Sequence, residues 1–210
     1  NLNLPADHPL RKIEMSLKEN PGDIIALTDR GEYYARFNYT DQALKDYTKA
    51  LQLAPDYVRA RLLRAETYKK KGLKNLALSD YRTALKEQPR NAGLYQSRGV
   101  YYGSMGEFDV AEKDLKKALK LNPESAQYNH NLSVLLSKQN KLKDALGYAN
   151  RAVSIDPAYS IAQHGRGIIL ARMGNFDSAK SAFNMAIETS PNWGAANLSR
   201  GMTFDKLGMS

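Results

Sequence analysis

Six prolines, Pro21, Pro55, Pro89, Pro123, Pro157 and Pro191, stand 34 residues apart. A fixed period of this length over almost the whole chain marks a repeat array, in which units too small to bury a core alone stack on their neighbours. One large or two small globular domains would also fit 210 residues, but neither needs such a period. A single continuous stack is therefore expected. Its function is to be sought on the surface that neighbouring units build together.

Aligned on the prolines, the chain reads as units 24–57, 58–91, 92–125, 126–159 and 160–193. Residues 1–23 supply only a second helix of a partial unit, and 194–210 only a first helix or cap. Alanine recurs at Ala43, Ala77, Ala111, Ala145 and Ala179, and again at Ala50, Ala84, Ala118, Ala152 and Ala186. Tyr47, Tyr81, Leu115, Ala149 and Phe183 lie between them. Spacings of four and three place these columns on one face of a helix.

Earlier in each unit a small residue (Gly31, Ala65, Gly99, Ser133, Gly167, Gly201) precedes a large one by three (Tyr34, Tyr68, Tyr102, Leu136, Leu170, Phe204). This suits two closely packed helices with a ring beside the contact. Between the two patterns stand Asn38, Gly72, Gly106, Asn140, Gly174 and Gly208, residue types that accept a left-handed backbone. Each unit thus reads as helix, tight turn, helix. Asp41, Asn75, Asp109 and Asp177 follow the turn and are expected to cap the second helix, which the proline ends.

This pattern resembles the tetratricopeptide repeat family at its own period, over residues 24–208. The resemblance implies an all-α fold, a right-handed superhelical solenoid of antiparallel helix pairs. It also implies a scaffold for protein or peptide binding without catalysis. The Lys, Asn and Arg set with which some members grip the acidic tails of heat-shock chaperones is missing, since Thr28, Glu32, Leu63, Gly93 and Ser97 stand at its places.

Counted from the start of each unit, places four, seven, eight and eleven share one helix face, and places two, five, nine and thirteen lie opposite. The resemblance implies that this opposite face lines a concave groove. Place nine is Glu32 and Glu66 in the first two units, then Val100, Val134, Ile168 and Met202. Four apolar residues facing away from their own core ask for a partner. Gln96, Gln127, His130, Asn131 and His164 beside them can bond a peptide backbone. Full burial of the four would yield on the order of 6 to 12 kcal/mol, against about 4 to 15 kcal/mol for association, so polar contacts must contribute. A partner protein or peptide is the expected ligand.

Place seven carries Arg30, Arg64, Arg98, Arg166 and Arg200, which point toward the core side. Asp46, Asp80 and Asp114 lie sixteen residues after the first three, so structural pairing is favoured over an anion ladder. Place thirteen is basic at Arg36, Lys70, Lys138, Arg172 and Lys206, to which little functional weight attaches.

The formal charge of +9 is local. Ten Lys or Arg against three acids between Arg59 and Arg90 leave +7 in that stretch, with Arg59, Lys69, Lys70, Lys71 and Lys74 as a basic patch. Binding of RNA or another polyanion there is an alternative reading, disfavoured because no aromatic stacking motif is interleaved. Stacking of copies through the half-unit ends is another, and the apolar Met202, Phe204 and Leu207 of the last helix, where a cap would present a polar face, favour an array cut from a longer one. Cysteine is absent, which removes thiol chemistry and leaves the compartment undetermined. No run is long and apolar enough for a membrane span. Beginning at Asn1 without methionine, the chain reads as a fragment or processed form of a soluble protein. No catalytic motif occurs and no cofactor is expected. His130 and His164 are neighbours at place five but lack the third and fourth ligands of a structural metal site.

Overall fold

The computed structural model describes residues 8–192 and 194–206, and every regular element among them is an α-helix. The chain divides into two compact units, Asn1–Leu94 and Tyr95–Ser210. The single stack expected from the period thus meets a division inside one helix, because elements of a repeat array pack on immediate neighbours and no one core ties the ends together.

The N-terminal unit holds α1 (Pro9–Glu19), α2 (Ile24–Arg36), α3 (Thr40–Leu53), α4 (Val58–Lys70) and α5 (Lys74–Glu87). Each helix packs on the next through small residues, α2 on α3 and α4 on α5 most extensively. Leu17 of α1 joins Ala26, Leu27, Ala50, Leu51 and Ala60 in one apolar cluster. Asp23 caps α2, its Oδ1 accepting from the amides of Ile25 at 2.9 Å and Ala26 at 3.0 Å.

The division falls within α6 (Ala92–Ser104). The C-terminal unit continues with α7 (Phe108–Leu121), α8 (Ala126–Lys138), α9 (Leu142–Ile155), α10 (Ser160–Arg172), α11 (Phe176–Thr189) and α12 (Gly194–Lys206). Its core gathers Ala111, Leu115, Leu132, Leu135, Leu136, Ala145, Ala149 and Ile169.

The turn residues behave as their types require. Asn38, Gly72, Gly106, Asn140 and Gly174 have φ of 63°, 73°, 82°, 61° and 82°. The amide three residues after the helix then reaches back to close a C-terminal cap, as Leu73 N donates to Tyr68 O at 2.9 Å and Lys141 N to Leu136 O at 2.9 Å. Gly208 and Leu207 lie outside the described residues, as do the side chains of Phe204 and Lys206.

Two local expectations need correction. The side chain seated on the small residue comes from the second helix, not from three residues on: a Cβ at Gly31 would lie 2.6 Å from the Tyr47 ring, one at Gly167 2.5 Å from Phe183, and one at Gly99 3.0 Å from Leu115. Asp41, Asn75, Asp109 and Asp177 do not cap. The cap positions are Tyr39, Leu73, Glu107 and Asn175, with no side-chain cap bond, and the four residues sit one position inside the first turn. There the three aspartates still favour the positive end of the helix dipole.

Candidate functional site

Three of the five place-seven arginines are held in ion pairs within the fold. Arg30 grips Asp46 with Nε at 2.8 Å and a terminal nitrogen at 2.7 Å. Arg64 holds Asp80 and Arg98 holds Asp114 in the same two-pronged way. All three aspartates are buried. Planar guanidinium to carboxylate pairing compensates both charges within the fold. Arg200 turns instead to Asn184 at 3.2 Å. Arg166, facing Ala182, keeps a buried Nε with no partner, and burial lowers its pKa.

In 126–159 the pair is replaced by buried Leu132 with Tyr148 packed on the same core. Beside them opens a cleft of about 520 Å³ lined by Glu112, Lys116, Lys141, Tyr148 and Arg151 among others. Its charges are largely matched, since Glu112 takes Lys116 at 2.6 Å and Lys141 at 2.9 Å. Those two lysines hold the Glu112 carboxyl at about 2, well below its usual value.

The apolar place-nine residues of the C-terminal unit meet in pairs. Val100 and Val134 bound a pocket of about 130 Å³ with Asn131, Leu135 and Lys138. Ile168 and Met202 bound another of about 280 Å³ with Ala171, Arg172, Phe176, Phe183 and Ser199. Val100 is 38% exposed, Ile168 39% and Met202 62%, while Val134 is half-buried. Gln96 is half-buried and Gln127 exposed, and neither lines these pockets.

Sequence reasoning did not anticipate Phe176 or Phe183 in the larger pocket, nor that Arg172 and Lys138 of the discounted place thirteen would rim the two. The signal was available in the shared stripe of places nine and thirteen. Arg172 is held in place: one terminal nitrogen donates to the Ser137 carbonyl at 2.6 Å and its hydroxyl at 2.7 Å, the other to Asn140 Oδ1 at 3.1 Å.

The histidines are neighbours, but His130 is not presented to a ligand. It is buried against Tyr159, ring centres 5.8 Å apart, and a Cβ at Gly165 would lie 2.9 Å from its Cε1. Its Nδ1 has no partner. Burial, followed by the nearby His164, lowers its pKa to about 4. His164 Nε2 lies 2.9 Å from Ser199 Oγ, with its ring against Phe183. The glycine one repeat on lets α10 close over His130, a consequence of place six that a single-helix wheel does not register.

In the N-terminal unit Glu32, Arg36, Tyr47, Leu63, Glu66, Thr67 and Lys70 line a pocket of about 250 Å³. The proposed basic patch is mostly neutralised. Arg59 binds Asp29 at 2.7 Å and Glu32 at 2.8 Å, Lys69 binds Glu66, and Lys71 binds Asp41. Only Lys70 and Lys74 of the five make no ion pair among the described residues. The excess charge is therefore smaller in space than in sequence.

Among the described residues no group of three or more His, Cys, Asp or Glu is placed to hold a metal ion, and no helix is long and apolar enough to cross a membrane.

No curated protein matches the chain in sequence. Solved structures match its fold. YrrB, described as a TPR protein with an unusual peptide-binding site, is 21% identical with a TM-score of 0.64, covering 91% of this chain and 99% of its own. PilW, a type IV pilus biogenesis factor, is 21% identical with a TM-score of 0.81 over 89% of this chain and 87% of its own. A tetratricopeptide repeat protein from Parabacteroides merdae is 23% identical with a TM-score of 0.78 over 95% of this chain and 79% of its own. At these identities the likeness is one of fold. Family models described as tetratricopeptide repeat match residues 28–92, 97–160 and 162–192, well over half of the sequence. The chain belongs to the tetratricopeptide repeat family.

Proposed function

We propose that this chain is a non-catalytic scaffold that binds a peptide segment of a partner protein along the groove face of α6, α8, α10 and α12. The observation that carries the reading is the pairing of apolar residues, exposed Val100 with half-buried Val134 and exposed Ile168 with exposed Met202, at the mouths of two open apolar pockets. Such a surface matches helix-in-groove or extended-peptide docking, where apolar anchors enter pockets and polar neighbours fix register. The fold suits protein–protein interaction, and the structurally similar YrrB carries a peptide-binding site. Asn131 at the smaller pocket and His164 beside Ser199 at the larger are the polar neighbours. Because the apolar residues are already partly covered, their further burial yields less than full transfer, and the polar contacts carry a correspondingly larger share.

Peptide-display selection on the parent and on an Ile168→Asp, Met202→Asp variant, its helicity checked by circular dichroism, tests the proposal. A sequence motif enriched by the parent and lost by the folded variant is expected. No enrichment, or enrichment that survives both charges, would overturn it.

A further inference from the structure

Resting on that reading of the groove, we infer that the segment it takes is acidic as well as apolar, each anchor residue being accompanied by a carboxylate that meets Arg172 or Lys138. Both apolar pockets of the C-terminal unit are rimmed by a place-thirteen cation, Lys138 at the smaller and Arg172 at the larger. Neither cation forms an ion pair among the described residues. Neither pocket has an acidic residue in its lining. By contrast Arg30, Arg64 and Arg98 each sit on an aspartate, and Arg59 and Arg151 on surface acids.

Arg172 is the better defined of the two. Its three acceptors, the Ser137 carbonyl, the Ser137 hydroxyl and Asn140 Oδ1, are all neutral. They fix the guanidinium beside Ile168 and Met202 while leaving its full charge uncompensated and its remaining N–H bonds available. Holding the planar group in advance removes part of the ordering cost of binding a carboxylate. A phosphodiester could meet the same cations, but the larger pocket is almost wholly apolar, lined by Ile168, Ala171, Phe176, Phe183 and Met202. It favours a side chain such as leucine next to the charge over a sugar-phosphate backbone.

The test uses the full chain and fluorescence anisotropy of short peptides with amidated C-termini, one alternating leucine with glutamate and its counterpart alternating leucine with glutamine. The glutamate peptide is expected to bind about tenfold more tightly, as a charge-assisted hydrogen bond provides. That ratio should fall toward one in an Arg172→Gln, Lys138→Gln variant while binding of the glutamine peptide stays as in the parent. Lys138→Gln alone, which removes no bond within the fold, is expected to reduce the ratio in part. Equal binding of the two peptides by the parent would leave the groove standing and sink carboxylate recognition. A ratio unchanged in the double variant would sink it also, as would tighter binding of a single-stranded uridine oligonucleotide than of the glutamate peptide. A free C-terminal carboxylate on the glutamine peptide, if it restores the tenfold, identifies a chain end rather than a side chain as the source.

Discussion

Tyr81 donates its hydroxyl to Glu66. Tyr47, its counterpart one repeat earlier, has a buried hydroxyl with no hydrogen-bond partner. The glutamates make the difference, because Glu32 is drawn off by Arg59 at 2.8 Å. Thr67, whose own hydroxyl donates to the Leu63 carbonyl, stands near Tyr47 but not in hydrogen-bonding geometry with it. Burial, reinforced by Glu32, raises the Tyr47 pKa, so the phenol stays neutral.

Removing the two hydroxyls is therefore expected to act in opposite directions. Tyr47→Phe deletes an unsatisfied buried group and should stabilise the chain by about 1 kcal/mol, whereas Tyr81→Phe should cost about 1.5 to 3 kcal/mol. Urea unfolding of the two variants measures both. Loss of stability in each would mean that Tyr47 finds an acceptor.

The Arg98 to Asp114 pair offers a swap test, since the chain already contains an apolar replacement at Leu132 and Tyr148. Asp114→Ala is expected to cost about 3 to 5 kcal/mol by leaving a half-buried guanidinium alone. Arg98→Leu with Asp114→Tyr should recover most of that loss. Differential scanning calorimetry of the single and double variants decides it.

His130 predicts a pH dependence with a definite sign. Its folded pKa is about 4 and its ordinary value 6.5, so the unfolded chain takes up the proton first. The stability due to keeping it neutral is complete above pH 6.5 and is lost as pH falls through about 4. The loss is about 3 kcal/mol at one pKa unit per 1.36 kcal/mol. His130→Asn should flatten this part of the curve in denaturant titrations at pH 7 and pH 4, relative to the parent.

Two helical glycines are expected to respond oppositely to alanine. At Gly167 the new methyl would meet the Phe183 ring at 2.5 Å, and overpacking should cost about 1 to 3 kcal/mol. At Gly147 nothing lies within 4 Å, so the gain in helix propensity should stabilise by about 0.5 to 1 kcal/mol. Thermal melts of the two variants provide the comparison.

Much of this was legible because a repeat states each position several times. Asn38 and Asn140 could be read as left-handed only because glycine fills the same column at Gly72, Gly106 and Gly174. The sixteen-residue interval from Arg98 to Asp114 showed itself by recurring, and lapsing, in register. What failed depended on neighbouring repeats or on offsets of two residues. His130 looked available on its own helix and is closed off by Gly165 of α10. Asp41 and Asp109 lie two positions too far along to cap. The neutralisation of Arg59, Lys69 and Lys71 needed the three-dimensional pairing with Asp29, Glu66 and Asp41, which no count of charges along the chain contains.

Arg59 to Glu32, Lys71 to Asp41, Lys141 to Glu112 and Arg151 to Glu124 are separated by 27, 30, 29 and 27 residues. None of these bonds waits for sequence more distant than the next repeat. A chain emerging from the ribosome could therefore complete its electrostatic contacts as it lengthens, each new helix pair closing on one already made. The structure is written in an order that synthesis can follow.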